Sequence, residues 1–177
     1  MKNNQIIKIF EKIRDLPYEI GPHYEGEKLI EYGRGGCGSK NRYLANWFYL
    51  KDYKIKVCTT PYKWADLKFL PNEPKNHPKA QKIGNHVYLK VLIENNWVLV
   101  DTSWDKHLST IFPVNLNWDG KSNQISATKI TKEKCMAYPE PYLSNRQKIQ
   151  KSSVLDELDI DFSKKMNEYF DKIRNQQ

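Results

Sequence analysis

A mixed α+β domain is what this sequence predicts, on three observations. The glycine run Gly33-Arg34-Gly35-Gly36-Cys37-Gly38-Ser39 is followed at once by apolar residues at helical spacing. Two strand-like runs, His86 to Ile93 and Trp97 to Val100, flank the turn-forming Glu94-Asn95-Asn96. A second helical stripe, Phe162, Met166, Tyr169, Phe170 and Ile173, lies near the end. At 177 residues the chain suits a single domain burying roughly 70% of the surface its unfolded form exposes. Its core is expected at about residues 29–105, with a C-terminal helical extension at about 145–177.

Taken in order, Ile6, Ile7, Phe10 and Ile13 predict a first helix ending before Pro17. Tyr18 to Gly26, with Gly21-Pro22 inside, reads as irregular, and Leu29-Ile30 lead into the glycine run. From Ser39 onward, Tyr43, Leu44, Trp47 and Phe48 form one apolar stripe of a helix. Tyr53, Ile55 and Val57 alternate with charged neighbours as in a half-buried strand. Thr59 to Asn85 carries Pro61, Pro71, Pro74 and Pro78 and reads as a long connection, ordinarily functional or mobile at this length. The two strand-like runs make a hairpin. A second hairpin is expected where Asn117-Trp118 and Gln124-Ile125 flank Asp119-Gly120.

Apolar residues at 39% and aromatics at 12% exclude a disordered chain. The net charge of +8 raises a nucleic-acid reading, but outside a Lys-rich patch from Lys63 to Lys82 the basic residues are spread and mixed with acids. That pattern is a solvated surface with a modest positive field, not a nucleic-acid site. Three cysteines, Cys37, Cys58 and Cys135, cannot all pair within one chain and match no C-x-x-C spacing, so no disulfide framework is expected. Met1 to Ile20 holds no apolar core of signal-peptide length, and no stretch reaches the roughly 18 apolar residues of a membrane span. The expected compartment is a reducing cytoplasm, with no membrane partner.

The chemistry points to Cys37. A free thiol of pKa about 8.5 is a poor nucleophile at neutral pH, because only the thiolate attacks. A helix N-terminus and a neighbouring histidine both stabilise that anion. Gly35 and Gly36 permit a tight turn into the helix, and Gly38 leaves space for a substrate carbonyl beside the sulfur. His86, opening the first strand-like run, is the candidate base, and Asp101, closing the second, is suited to hold the imidazole in one tautomer. A two-residue turn at Asn95-Asn96 sets Lys90 opposite Asp101, leaving His86 four positions along, about 13 Å away on a flat strand. A bulge, wider loop or strong twist is then needed to close the triad.

The segments GRGGCGSKNRYLANWFYL and HVYLKVLIENNWVLVDTSWD, with the Tyr53 to Val57 strand between them, resemble the core of the transglutaminase-like superfamily. The resemblance covers roughly 70 residues. It implies a papain-like α+β fold in which the helix starting at the nucleophile packs on an antiparallel sheet. It further implies Cys37 as nucleophile, His86 as general acid and base, and Asp101 as the orienting acid, and it favours hydrolysis of a peptide-like amide or transamidation through a thioester. Family oxyanion holes combine the nucleophile's own N–H with an upstream aromatic or amide side chain, and Tyr18 is the candidate here. Glu31 stands where papain-type proteases carry glutamine, so the papain pattern itself fits less well. No cofactor and no metal are implied; the partner is a protein or peptide substrate.

Rival readings exist. Trp64 and Trp104 are candidates for lining a substrate groove, although tryptophan more commonly packs in a core. Cys58 and Cys135 lack a reactive frame and read as structural, and His23, His77 and His107 read as surface or packing residues. Gly33, Gly35 and Gly38 match G-x-G-x-x-G, but no preceding strand supports it and Ser39-Lys40 reverses the order a phosphate loop requires. Arg34-Gly35-Gly36-Cys37 is also similar to arylamine N-acetyltransferases, although Ser39 stands where their glutamate is expected. A non-catalytic module using the basic, Trp-bearing loop for an acidic or nucleic-acid partner is the alternative from another class.

Overall fold

The computed structural model of the chain describes residues 2–21, 26–145 and 157–176; His23 lies outside them. The first helix, α1 (Lys2–Arg14), buries Ile6, Phe10 and Ile13 on one face. A short α2 (Glu27–Tyr32) is closed by Gly33 in the left-handed region at φ 77°, where glycine is at home. The helix after the glycine run, α3 (Cys37–Tyr49), starts from an extended Gly36. Four strands follow, β1 (Ile55–Tyr62), β2 (Gly84–Ile93), β3 (Asn96–Val100) and β4 (Lys134–Tyr138), forming one antiparallel sheet in the order β3-β2-β1-β4. Between β1 and β2 lie α4 (Asn72–Lys75) and α5 (Pro78–Gln81), and the chain ends in α6 (Glu157–Arg174). Among the described residues no helix is long and apolar enough to cross a membrane.

Two apolar clusters build the interior. In the first, Phe10, Leu44 and Phe48 from the helices pack on Val57, Leu89, Val91 and Val100 from the sheet. The second joins Tyr18, Trp64, Trp104 and Phe112 to Phe162, Met166, Phe170 and Ile173 of α6, so the C-terminal stripe docks as its periodicity predicts. Cys37 packs against the second cluster, while the rest of its helix belongs to the first.

Four expectations are corrected. The buried face of α3 runs through Asn41, Leu44, Ala45 and Phe48, with Tyr43 and Trp47 half-buried, so the stripe is rotated from the expected one. The segment from Thr59 to Asn85 is not one long connection: β1 runs on to Tyr62, β2 begins at Gly84, and a 3-10 turn and two short helices fill the interval. Strand pairing tolerates Pro61 because β4 reaches only Thr59, leaving the proline's nitrogen without a demand for a donor on that side. No strands flank Asp119-Gly120; the Asp119 carboxylate accepts from the N–H groups of Lys121 and Ser122 and builds a local turn instead.

The fourth correction concerns the cysteines. Cys58 and Cys135, directly opposed on β1 and β4, form a disulfide, and Cys37 is the free thiol. An odd cysteine count excludes complete pairing but not one bridge, and the expectation of a reducing compartment loses its support from unpaired thiols. The bridge closes a sequence separation of 77 residues. Reducing it, or replacing both cysteines by alanine, is expected to lower unfolding free energy by roughly 2–4 kcal/mol. Urea denaturation with and without a phosphine reductant measures this, and coincident curves would refute it.

Candidate active site

The hairpin register resolves the distance problem between His86 and Asp101. The turn is Glu94-Asn95, both at positive φ (48° and 65°), and β3 begins pairing at Asn96 with Ile93. Continuing Leu89 opposite Val100 by one step puts Tyr88 opposite Asp101. His86 is then a diagonal neighbour, about 7–8 Å away by backbone and within side-chain reach. His86 Nε2 lies 2.7 Å from Asp101 Oδ2, with both residues buried. No bulge is needed; the sequence-based register was off by the position of one turn residue.

The other side of the imidazole faces Cys37, whose thiol hydrogen-bonds the ring. With Nε2 engaged by Asp101, Nδ1 is the nitrogen left for the sulfur. Burial pushes the Cys37 thiol up, but the His86 hydrogen bond, its charge and a backbone hydrogen bond from Val87 bring it below its ordinary value. Burial likewise opposes a charged imidazole; the Asp101 charge and hydrogen bond, followed by Cys37, overcome it and raise His86 to about 10. Asp101, disfavoured by burial, is held at about 2 by His86, Ser103 and the Ala127 N–H. For each member of the row the net shift favours the charged form, the direction of a thiolate–imidazolium–carboxylate arrangement.

Asp101 is fully furnished. Oδ1 accepts from the Ser103 N–H at 3.0 Å and the Ser103 hydroxyl at 2.5 Å, and Oδ2 accepts from the Ala127 N–H at 2.8 Å as well as from His86. Its own N–H donates to Gln124 Oε1 at 2.7 Å. Apart from His86 on β2, these partners come from the chain after β3, so the Asp101 carboxylate is fixed by chain far from Cys37 in sequence.

Tyr18 reaches the site through backbone pairing. Gly35 N–H donates to Pro17 O at 3.0 Å and Glu19 N–H to Gly35 O at 3.3 Å, which lays Tyr18 alongside the glycine run. The Tyr18 N–H donates to buried Asp105 at 2.8 Å, and Arg174 of α6 bonds both that carboxylate, at 2.7 Å, and Tyr18 O, at 2.8 Å. Burial and then the charge of Cys37 hold the Tyr18 hydroxyl well above its ordinary pKa, and the same two causes act on Tyr62. Tyr62 ends β1 with its ring edge-on to His86 at 6.4 Å. Two phenols therefore respond to the charge of Cys37, and the sequence points to only one of them, Tyr18.

Trp64 and Trp104 do not line an open groove. They are buried, at 8% and 5% exposure, and pack around the Tyr18 ring as a wall. The space beside Gly38 is not free for a substrate carbonyl either, since a Cβ there would meet Arg42 Nη1 at 2.8 Å. Gly35 and Gly36 serve close approach: a Cβ would lie 2.6 Å from Leu29 Cδ1 and 3.0 Å from Glu19 O. His77 links the short helices to α6, with Nε2 3.1 Å from Asp161 and Nδ1 accepting from the Lys79 N–H. His107 lies in an exposed 3-10 turn and Glu31 is exposed on α2. Cys58, Cys135 and Glu133 form the one group of metal-type ligands among the described residues, and its two sulfurs are joined in the disulfide.

Sequence reasoning missed Lys40 and Asn41, both fully buried one turn into α3. Lys40 Nζ donates to three carbonyls, of Arg14, Leu16 and Ser103, at 2.8–2.9 Å. It thereby joins the end of α1, the chain leading to Tyr18 and the loop after Asp101. Burial draws its pKa down to about 7 against the upward pull of Asp105 and Asp101. A stripe read at 41, 44, 45 and 48 would have exposed the signal, because it places a polar residue on the buried face of an otherwise apolar helix.

Comparison of the chain with protein-family models, curated proteins and solved structures gave no match.

Proposed function

We propose that this chain is a cysteine-dependent acyl-transfer enzyme with a transglutaminase-like, papain-like core, acting on a peptide-like amide. The observation that carries this reading is the His86 ring held between the Cys37 thiol and the Asp101 carboxylate, 2.7 Å from the latter, with the thiol pKa lowered. A thiol-bearing helix start packed against neighbouring strands that carry His and Asp supports the family reading. Burial of Trp64 removes the aromatic on which the rival binding-module reading relied.

In the proposed reaction the Cys37 thiolate attacks the carbonyl carbon, and the carbonyl oxygen takes the electron pair. The Cys37 N–H at the helix start and the Tyr18 hydroxyl face that oxyanion. Collapse breaks the C–N bond as the His86 imidazolium gives its proton to the departing amine, leaving a thioester and neutral imidazole. Water then attacks the thioester while His86 takes its proton, or an amine does so in transamidation, and the Cys37 thiolate departs. Asp101 keeps Nδ1 directed at the reacting atoms throughout.

Incubation with an activated acyl ester, such as p-nitrophenyl acetate, is expected to add one acyl mass to Cys37, detected by mass spectrometry of the intact chain and its peptides. No adduct on Cys37, or equal labelling in denaturant, would refute the proposal.

A further inference from the structure

We propose that Asn41 is a positioning residue that holds the proposed catalytic row together from its centre. Its side chain is fully buried one helical turn beyond Cys37 and meets all three members of the row or their immediate neighbours. Nδ2 donates to Cys37 O at 3.1 Å and to Val87 O, the carbonyl next after His86, at 2.8 Å. Oδ1 accepts from the N–H and the hydroxyl of Thr102, next after Asp101, both at 3.1 Å. Longer contacts run from Nδ2 to Ser103 Oγ at 3.4 Å and to Asp101 Oδ1 at 3.5 Å.

The chemistry of these partners selects an amide. Two carbonyls can only accept and a backbone N–H can only donate, so the group between them must donate at one end and accept at the other. A carboxylate would place an acceptor against two carbonyls and a second negative charge beside Asp101. A hydroxyl would not span the gap, and an apolar side chain would take this partner from the Val87 carbonyl and from the buried N–H and hydroxyl of Thr102.

The placement has a consequence for the sulfur. The β2–β3 ladder ends at Leu89 and Val100, and two residues beyond it on β2 Asn41 takes the Val87 carbonyl while the same residue's backbone hydrogen bond reaches Cys37. Anchoring the carbonyl end of Val87 helps fix the local chain that presents both this bond and the His86 ring. Anchoring Thr102 fixes the residue after Asp101. Asn41 touches no reacting atom and acts through these neighbours.

This inference rests on the triad reading, and the test separates the two. Iodoacetamide alkylation of Cys37 is followed against pH in the full chain, in His86→Ala, Asn41→Ala, Thr102→Val and Thr102→Ser, with thermal melts of each. Asn41→Ala is expected to melt cooperatively and to move the alkylation midpoint up by about one pH unit or more, slowing the reaction at pH 6 about tenfold while the high-pH limit stays unchanged. Thr102→Val is expected to shift it less, and Thr102→Ser to restore the parent profile. Parent-like profiles in folded Asn41→Ala and Thr102→Val would overturn the role of Asn41 and leave the triad standing. A parent chain that titrates as a free thiol, insensitive to His86→Ala, would overturn the triad and this inference with it. Should Asn41→Ala lose its cooperative melt, the Thr102 pair decides: a shift in Val reversed in Ser supports the role, and none refutes it.

Discussion

Replacing His86 by alanine is expected to slow Cys37 alkylation at pH 6 by about 10²-fold, the low end of what a positioned acid–base group contributes. Burial disfavours the thiolate, and the largest opposing influence is the His86 hydrogen bond, followed by its charge. Without the imidazole the thiol is expected to titrate higher than in the parent chain, because desolvation and the Asp101 charge remain and only the Val87 bond counters them. Asp101→Asn is expected to reduce acyl transfer comparably, by about 10²–10⁴-fold, although it is nearly isosteric. The Ser103 and Ala127 N–H groups and His86 all donate to this carboxylate, so an amide NH₂ finds itself facing donors. Full retention of low-pH alkylation in His86→Ala would refute the mechanism.

The same shifts set the pH windows. The ion pair forms as pH rises through the lowered Cys37 value and is lost as pH rises through about 10, where His86 gives up its proton. His86 is raised above its unfolded value of about 6.5, so its stabilising contribution is complete below that pH and disappears on approach to about 10. Asp101 is lowered, so its contribution is complete above about 4 and is lost as pH falls through about 2. The parent chain is expected to lose stability at both extremes, and Asp101→Asn to flatten the acid limb.

The second large effect is on stability. Lys40→Met, of similar length, is expected to cost about 3–5 kcal/mol, measured from urea midpoints at pH 7. Three carbonyls that now receive Nζ at 2.8–2.9 Å would be left buried and unpaired, each costing about 1–3 kcal/mol where water does not replace the donor. Because those carbonyls belong to Arg14, Leu16 and Ser103, the damage spreads to the chain carrying Tyr18 and the loop carrying Asp105. A loss below about 1 kcal/mol would show that the junction closes without the lysine.

Cys37, His86 and Asp101 were legible in the sequence because glycine framing, strand alternation and a turn signal are local. The helix from Cys37 and the β2–β3 hairpin were legible for the same reason. Strand β4 was not: its pairing with β1 depends on residues distant in sequence, and Lys-Cys-Met-Ala-Tyr carries a weak alternation. The Cys58–Cys135 bridge was hidden with it. Tyr62 was hidden because the prolines around it mask a strand that pairs on one side only at its end.

The sequence by itself determined which groups are chemically able to act, since side-chain identity and local periodicity need no partner. Only the tertiary structure decided whether they meet. A turn displaced by one residue brought Asp101 diagonal to His86, and Asn41 and Lys40 acquired roles because their partners are backbone groups. Every residue has a carbonyl and nearly every one an N–H, so no sequence pattern marks those that a buried polar side chain will find.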